Sequence, residues 1–161
     1  MFPNSASIRT SYGCKFNCTF CVVHFIMRRN YFERTPEDVV NEIADIKEDH
    51  IYFVDDETFL NEKRMTDIAN LLIQRGIKKK YVSWARADTI ISRPDLFRLW
   101  KKVGLSIVYV GLESMDDGQL KQDYLYWWEW RGDWPSVIRI MKENLSPEAI
   151  GTEEEYRKLS P

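Results

Sequence analysis

Cys14, Cys18 and Cys21 are the only cysteines of this 161-residue chain, and they fall within eight positions. Three thiols cannot form a disulfide framework, because one is always left over. Three is also one ligand short of a closed structural zinc site. The spacing Cys14-x3-Cys18-x2-Cys21 leaves three uses open. His24, shortly after Cys21, completes a Cys3His zinc set. Cysteines also serve as small buried hydrophobes, a role that gives them no reason to cluster. A [4Fe–4S] cube on three thiolates keeps its fourth iron open for a substrate or cofactor.

The elements that must position these thiols follow from the pattern of apolar residues. "SASIRTSY" predicts a strand that ends at the cysteines. "TPEDVVNEIADIKED" predicts a helix, with Thr35 as N-cap, Pro36 in the first turn, and Val39, Val40, Ile43 and Ile46 on one face. "HIYFVDD" predicts a second strand, apolar at consecutive positions as in a parallel strand covered on both faces. Asn61 caps a helix whose stripe is Met65, Ile68, Leu71 and Leu72 and which Gly76 ends. "YVSWARAD" is a third strand. A helix from Pro94 to Gly104 follows, and "LSIVYVGLES" is a fourth strand. Such alternation means βα units and a parallel sheet.

Ligands of parallel α/β folds bind at the carboxyl ends of the strands. The cysteines follow strand one, "DDET" strand two, "RAD" strand three and "ES" strand four. A single acidic pair at such a place could simply favour the N-terminus of the next helix. Four polar clusters on one rim point instead to an active site.

With the Cys-x3-Cys-x2-Cys triplet after the first strand and Phe20 just before the last cysteine, the chain resembles the radical S-adenosylmethionine (SAM) superfamily. "FVDDET", residues 53–58, stands where that family has F-x-G-G-E-P, with Asp55 and Asp56 in place of glycines. That acidic pair, with "ARADTI" and "VGLES", is similar to the cobalamin-dependent branch, hopanoid C-3 methylases in particular. The resemblance covers residues from about 7 to 117. It implies a parallel (β/α) barrel, of which residues 1–116 supply about four units, a partial barrel; residues 117–161 themselves read as an aromatic-rich helical tail. The branch's cobalamin-binding D-x-H-x-x-G signature does not occur in this sequence, so cobalamin binding by this chain is not implied.

The resemblance further implies two cofactors, a [4Fe–4S] cluster on Cys14, Cys18 and Cys21 and a SAM molecule chelating its open iron. One electron then cleaves SAM, and the 5′-deoxyadenosyl radical abstracts hydrogen from a substrate. Asp55, Asp56 and Glu57 become candidates to hold the SAM ammonium, with Asp56 or Glu57 favoured. Phe20 offers adenine a flat apolar surface. Arg86 suits the SAM carboxylate, or forms a structural pair with Asp88. Glu113 and Ser114 stand where the family contacts the ribose or methionyl end. Expected partners are a small-molecule or lipid-like substrate and a flavodoxin- or ferredoxin-type reductant.

Composition bounds these readings. At 44% hydrophobic and 30% charged residues the chain is of globular type. A formal charge of −2 gives no reason to expect a nucleic-acid or membrane partner. No apolar run reaches the length of a membrane span, and no signal peptide opens the sequence, so a reducing cytoplasm is expected. No fifth or sixth strand is legible after Ser114. "DYLYWWEWRGDWPSV" instead carries Trp127, Trp128, Trp130 and Trp134, and a capping box from Thr152 to Glu155 opens a last helix. These tryptophans are expected to cover the open sheet edge or a homodimer or larger-subunit interface; a seat for a bulky apolar substrate and a truncated gene end are the alternatives. A truncated accessory or electron-transfer subunit, or a Cys3His zinc module, stands as the rival to an enzyme.

Overall fold

Residues 5–12, expected as one strand, form parts of two. β1 (Ser5–Ile8) joins the main sheet, while β2 (Ser11–Gly13) turns away to pair antiparallel with β3 (Tyr31–Glu33). The cysteine loop and the short α1 (Val23–Ile26) run between β2 and β3, so the thiols sit at the tip of a hairpin. Nothing in the alternation of apolar residues marks this hairpin, because its strands are three residues each. The computed structural model of the chain describes residues 4–16, 18 and 20–111.

The predicted helices form, with the predicted caps. α2 (Pro36–Asp45) starts at Thr35, whose hydroxyl accepts the Asp38 N–H at 3.2 Å. α3 (Glu62–Gln74) starts at Asn61, whose side chain accepts the Arg64 N–H at 3.1 Å. A helix not foreseen, α4 (Ala87–Ser92), begins where β5 (Lys80–Arg86) ends, two residues before the expected end of that strand. α5 (Pro94–Val103) stops at Gly104, whose φ of 124° only glycine adopts easily. A Cβ there would also lie 2.1 Å from the Lys79 carbonyl oxygen.

Four parallel strands, in the order β1, β4 (His50–Phe53), β5, β6 (Leu105–Gly111), form the expected partial barrel. α2 packs on α3 and α3 on α5, covering one face of the sheet. Trp100 is the centre of that layer. Its indole meets Phe53, Phe59 and Tyr81 edge-on at 5.5, 5.8 and 5.4 Å, and its N–H donates to the Met65 carbonyl at 3.1 Å. Each such buried side chain contributes about 1.5–3 kcal/mol.

The expectation that β4 is covered on both faces is met in full on one face only. Ile51 and Phe53 are fully buried, but His50 and Tyr52 are only half-buried. Strand side chains alternate between faces, and among the described residues only one face carries helices. On the other face the register sets Tyr52 beside Val82 and Trp84 beside Tyr109. Trp84 and Tyr109 remain 45% and 42% exposed, their rings 4.8 Å apart, and the Trp84 indole donates to the Tyr52 hydroxyl. Glu113, Ser114 and the tail from 117 to 161 lie outside the described residues, as do the expectations placed on them. Among the described residues no helix is long and apolar enough to cross a membrane.

Candidate functional site

The hairpin that carries the cysteines is bolted to the sheet by the acidic segment after β4. Asp55 is 5% exposed. Its Oδ1 accepts the N–H groups of Thr10 and Ser11 at 2.6 and 2.8 Å, and its Oδ2 accepts the Thr10 hydroxyl at 2.7 Å. Asp56 Oδ2 accepts the Gly13 N–H at 2.9 Å. Bonds to a carboxylate are roughly twice as strong as neutral ones, and these four span the turn from β1 into β2. Arg64, on α3, donates to the Thr10 and Arg34 carbonyls, each at 2.7 Å, and ties the hairpin base from the helix side.

Gly13 opens the cysteine loop with φ of 82°, and a Cβ there would lie 2.1 Å from the Asn30 oxygen. Only glycine lets the two hairpin arms approach so closely just before Cys14. Farther along, the Cys21 N–H donates to the Cys18 carbonyl at 3.1 Å, closing a turn that sets these two cysteines side by side. All three are free thiols; Cys18 is buried and the others are partly covered. Burial pushes the Cys14 thiol up to about 11, with the Glu57 and Cys18 charges adding to the rise and Arg86 opposing it. Burial raises Cys18 as well, against the pull of Arg86. Among the described residues, no three His, Cys, Asp or Glu side chains are gathered tightly enough to hold a metal ion, and His24 is no exception. His24 is buried on α1, its Nδ1 without a hydrogen bond.

Glu57 differs from its two acidic neighbours. It is 2% exposed; Oε2 accepts the Arg86 N–H at 3.1 Å, while the buried Oε1 has no hydrogen-bond partner. Burial, opposed by the Arg86 guanidinium and reinforced by Asp88, raises its carboxyl to about 7. An unpartnered buried carboxylate oxygen costs about 1–3 kcal/mol. Such an atom is suited to receive a cation.

Arg86, at the end of β5, closes the site. Its Nε donates to Asp88 at 2.9 and 3.2 Å, its Nη2 donates to Asp88 at 3.1 Å, and its Nη1 donates to the Cys18 sulfur at 3.2 Å. The guanidinium carbon also lies 3.9 Å from the centroid of the Phe16 ring. Sequence reasoning weighed the pair with Asp88 but missed Phe16, which stands between two cysteines and whose aromatic ring was the available signal. It also missed Thr10, Ser11 and Gly13, visible only once β2 is seen to leave the sheet. Phe20 lies in the same loop, 53% exposed. An open cleft of about 640 Å³ lined by Lys15, Tyr31, Asn61 and Arg93 includes neither Cys14, Cys18, Cys21 nor Glu57 among its walls, so it is not this site.

The geometry thus brings three thiols, an arginine and a buried carboxylate to the C-terminal rim of a parallel sheet. Against known families, the profile of the Radical SAM superfamily matches residues 8–144. The chain belongs to the radical SAM superfamily. Its relatives include the hopanoid C-3 methylase of Methylococcus capsulatus, 32% identical over 111 residues, which cover 69% of this chain and 22% of that protein. The hopanoid C-2 methylase of Rhodopseudomonas palustris is 29% identical over 123 residues, covering 71% of this chain and 23% of that one. This radical SAM chain therefore spans less than a quarter of the length of those relatives. Its fold matches the structure of the cobalamin-dependent S-adenosylmethionine radical enzyme OxsB with aqua-cobalamin and S-adenosylmethionine bound. The TM-score is 0.69 at 24% identity, covering 86% of this chain and 22% of that one.

Proposed function

We propose that this chain is the core of a radical SAM enzyme, with a [4Fe–4S] cluster on Cys14, Cys18 and Cys21 and SAM beside it. The observation that carries this reading is the buried, unpartnered Oε1 of Glu57 next to a loop of three free cysteines. The donor set fits the cluster, since three thiolates leave one iron open. When bound, the cluster supplies the electron that splits SAM into methionine and a 5′-deoxyadenosyl group able to take hydrogen from a substrate. Glu57 then accepts the SAM ammonium, because Asp55 has both oxygens committed to Thr10 and Ser11 and Asp56 holds Gly13. Phe20 stacks on adenine, and Glu113 and Ser114 serve the ribose or methionyl end.

The row Tyr52, Trp84 and Tyr109 faces away from the helices and supports an apolar, lipid-like substrate. A flavodoxin- or ferredoxin-type donor supplies the electron, and the cytoplasm is the compartment. Residues 117–161 cover an open sheet edge or a homodimer or larger-subunit interface, since a bare edge invites unwanted pairing. Deleting everything after Gln122 should then cause aggregation, and a soluble folded truncation would refute the packing.

Anaerobic reconstitution tests the central reading. About four irons per chain are expected, lost on replacing any of the three cysteines, and a strong reductant should release 5′-deoxyadenosine from SAM. Uptake of one zinc and no iron would overturn it.

A further inference from the structure

Arg86 sits where a SAM carboxylate was expected to find it, but its bidentate edge is already taken. Nε and Nη2 form a fork on the Asp88 carboxylate, and the pair is 16% and 14% exposed. Phe16 stacks against the guanidinium at 3.9 Å. Two anchors therefore fix the plane of the group and leave Nη1 directed at the Cys18 sulfur, 3.2 Å away. The backbone beneath is held as well, since the Arg86 N–H donates to Glu57. Arginine stays charged at any pH a protein survives, so this donor does not switch off.

We propose that Arg86 is a tuning residue for the cluster, clamped by Asp88 and Phe16 so that one N–H rests on the Cys18 sulfur and raises the cluster's reduction potential. The inference rests on the function proposed above. Reduction adds one electron and no proton, so the cluster and its thiolates become one charge more negative. The electron comes from a low-potential one-electron donor of the flavodoxin or ferredoxin class. A fixed positive donor on a ligand sulfur stabilises the reduced form more than the oxidised one, and hydrogen bonds to sulfur are a recognised control on such potentials. Asp88 partly neutralises the guanidinium, so it trades some of the charge effect for a fixed direction.

The test is a redox titration of the anaerobically reconstituted full chain, followed by electron paramagnetic resonance of the reduced cluster. Arg86→Met should load iron and show a lower midpoint potential, by about a tenfold shift in the one-electron equilibrium, or 59 mV. Arg86→Lys keeps the charge without the fork and should fall between. In wild type, an exchangeable proton coupled to the cluster should be visible, and it should vanish in Arg86→Met. An unchanged potential in Arg86→Met overturns the proposal; if SAM affinity falls at the same time, Arg86 serves SAM instead. Should Arg86→Met take up no iron, the polar but neutral Arg86→Gln decides, a lowered potential supporting the proposal and an unshifted one overturning it. A wild-type chain that takes up no iron is a different result, since it sinks the cluster itself.

Discussion

The two faces of the four-stranded sheet have similar residues and opposite fates. On one, Ile51, Phe53 and Tyr81 are fully buried beneath α2, α3 and α5. On the other, Tyr52, Trp84 and Tyr109 form an aromatic row of which two members stay more than 40% exposed. Tryptophan occurs in both settings, so residue type alone does not say which face is core. The difference lies in what packs opposite, and the rim joining the two faces is where the cysteine hairpin and Glu57 are held.

The comparison breaks most easily at Trp100. Trp100→Ala should cost about 3–5 kcal/mol, a large part of a typical domain's stability of about 5–15 kcal/mol. Its ring contacts Phe53, Phe59 and Tyr81 together. Urea denaturation of the metal-free protein should show the unfolding midpoint moved well down. A loss below about 1 kcal/mol would mean the helical layer is not the stabilising core.

At the rim, Asp55→Ala should cost about 2–4 kcal/mol, because it leaves the buried Thr10 and Ser11 N–H groups without acceptors. Iron uptake should fall with stability, since the lost bonds place the cysteine hairpin. Full iron loading at wild-type stability would show that the hairpin holds itself without the acidic segment.

Legibility in the sequence followed the same division. The covered face was readable because helical stripes such as Val39, Val40 and Ile43 repeat every three to four residues and their caps are distinctive. The rim itself was legible as a candidate site because cysteines and acidic residues clustered at strand ends. The hairpin was not, since Ser11–Gly13 and Tyr31–Glu33 are too short for periodicity and meet across 17 intervening residues. For the same reason the hold of Asp55 on the hairpin was not legible. Its partners, Thr10 and Ser11, are 45 and 44 positions away in the chain, a distance over which composition carries no signal.

Glu57 should show stability and function pulling apart. With its carboxyl raised to about 7 from an ordinary 4.5, the folded protein keeps a proton that the unfolded chain releases. Stability therefore declines as pH rises between those values and levels off above. Glu57→Gln should remove the decline, making the metal-free protein more stable at pH 8 by about 1–3 kcal/mol and little different at pH 4. SAM binding should weaken in the same variant by roughly 10- to 100-fold. In wild type that binding should tighten as pH rises, because the ammonium needs the ionised carboxylate. Parallel pH profiles for Glu57→Gln and wild type would remove Glu57 from the ammonium site.

The smallest effect on stability belongs to the open face. Trp84→Ala removes a ring contact to Tyr109 at 4.8 Å and a hydrogen bond to Tyr52, both at the surface. Paired aromatics of this kind contribute about 0.5–1.5 kcal/mol beyond the area they bury, and nearly half of the Trp84 side chain never leaves water. A loss of about 1 kcal/mol or less is therefore expected, several-fold below Trp100→Ala and independent of protein concentration. A loss as large as that of Trp100→Ala would mean that the row is roofed over. A concentration-dependent melting curve would then assign the roof to a second copy, and a concentration-independent one to the chain's own residues after 111. Either outcome would make the two faces alike and leave no room on the row for a lipid-like substrate.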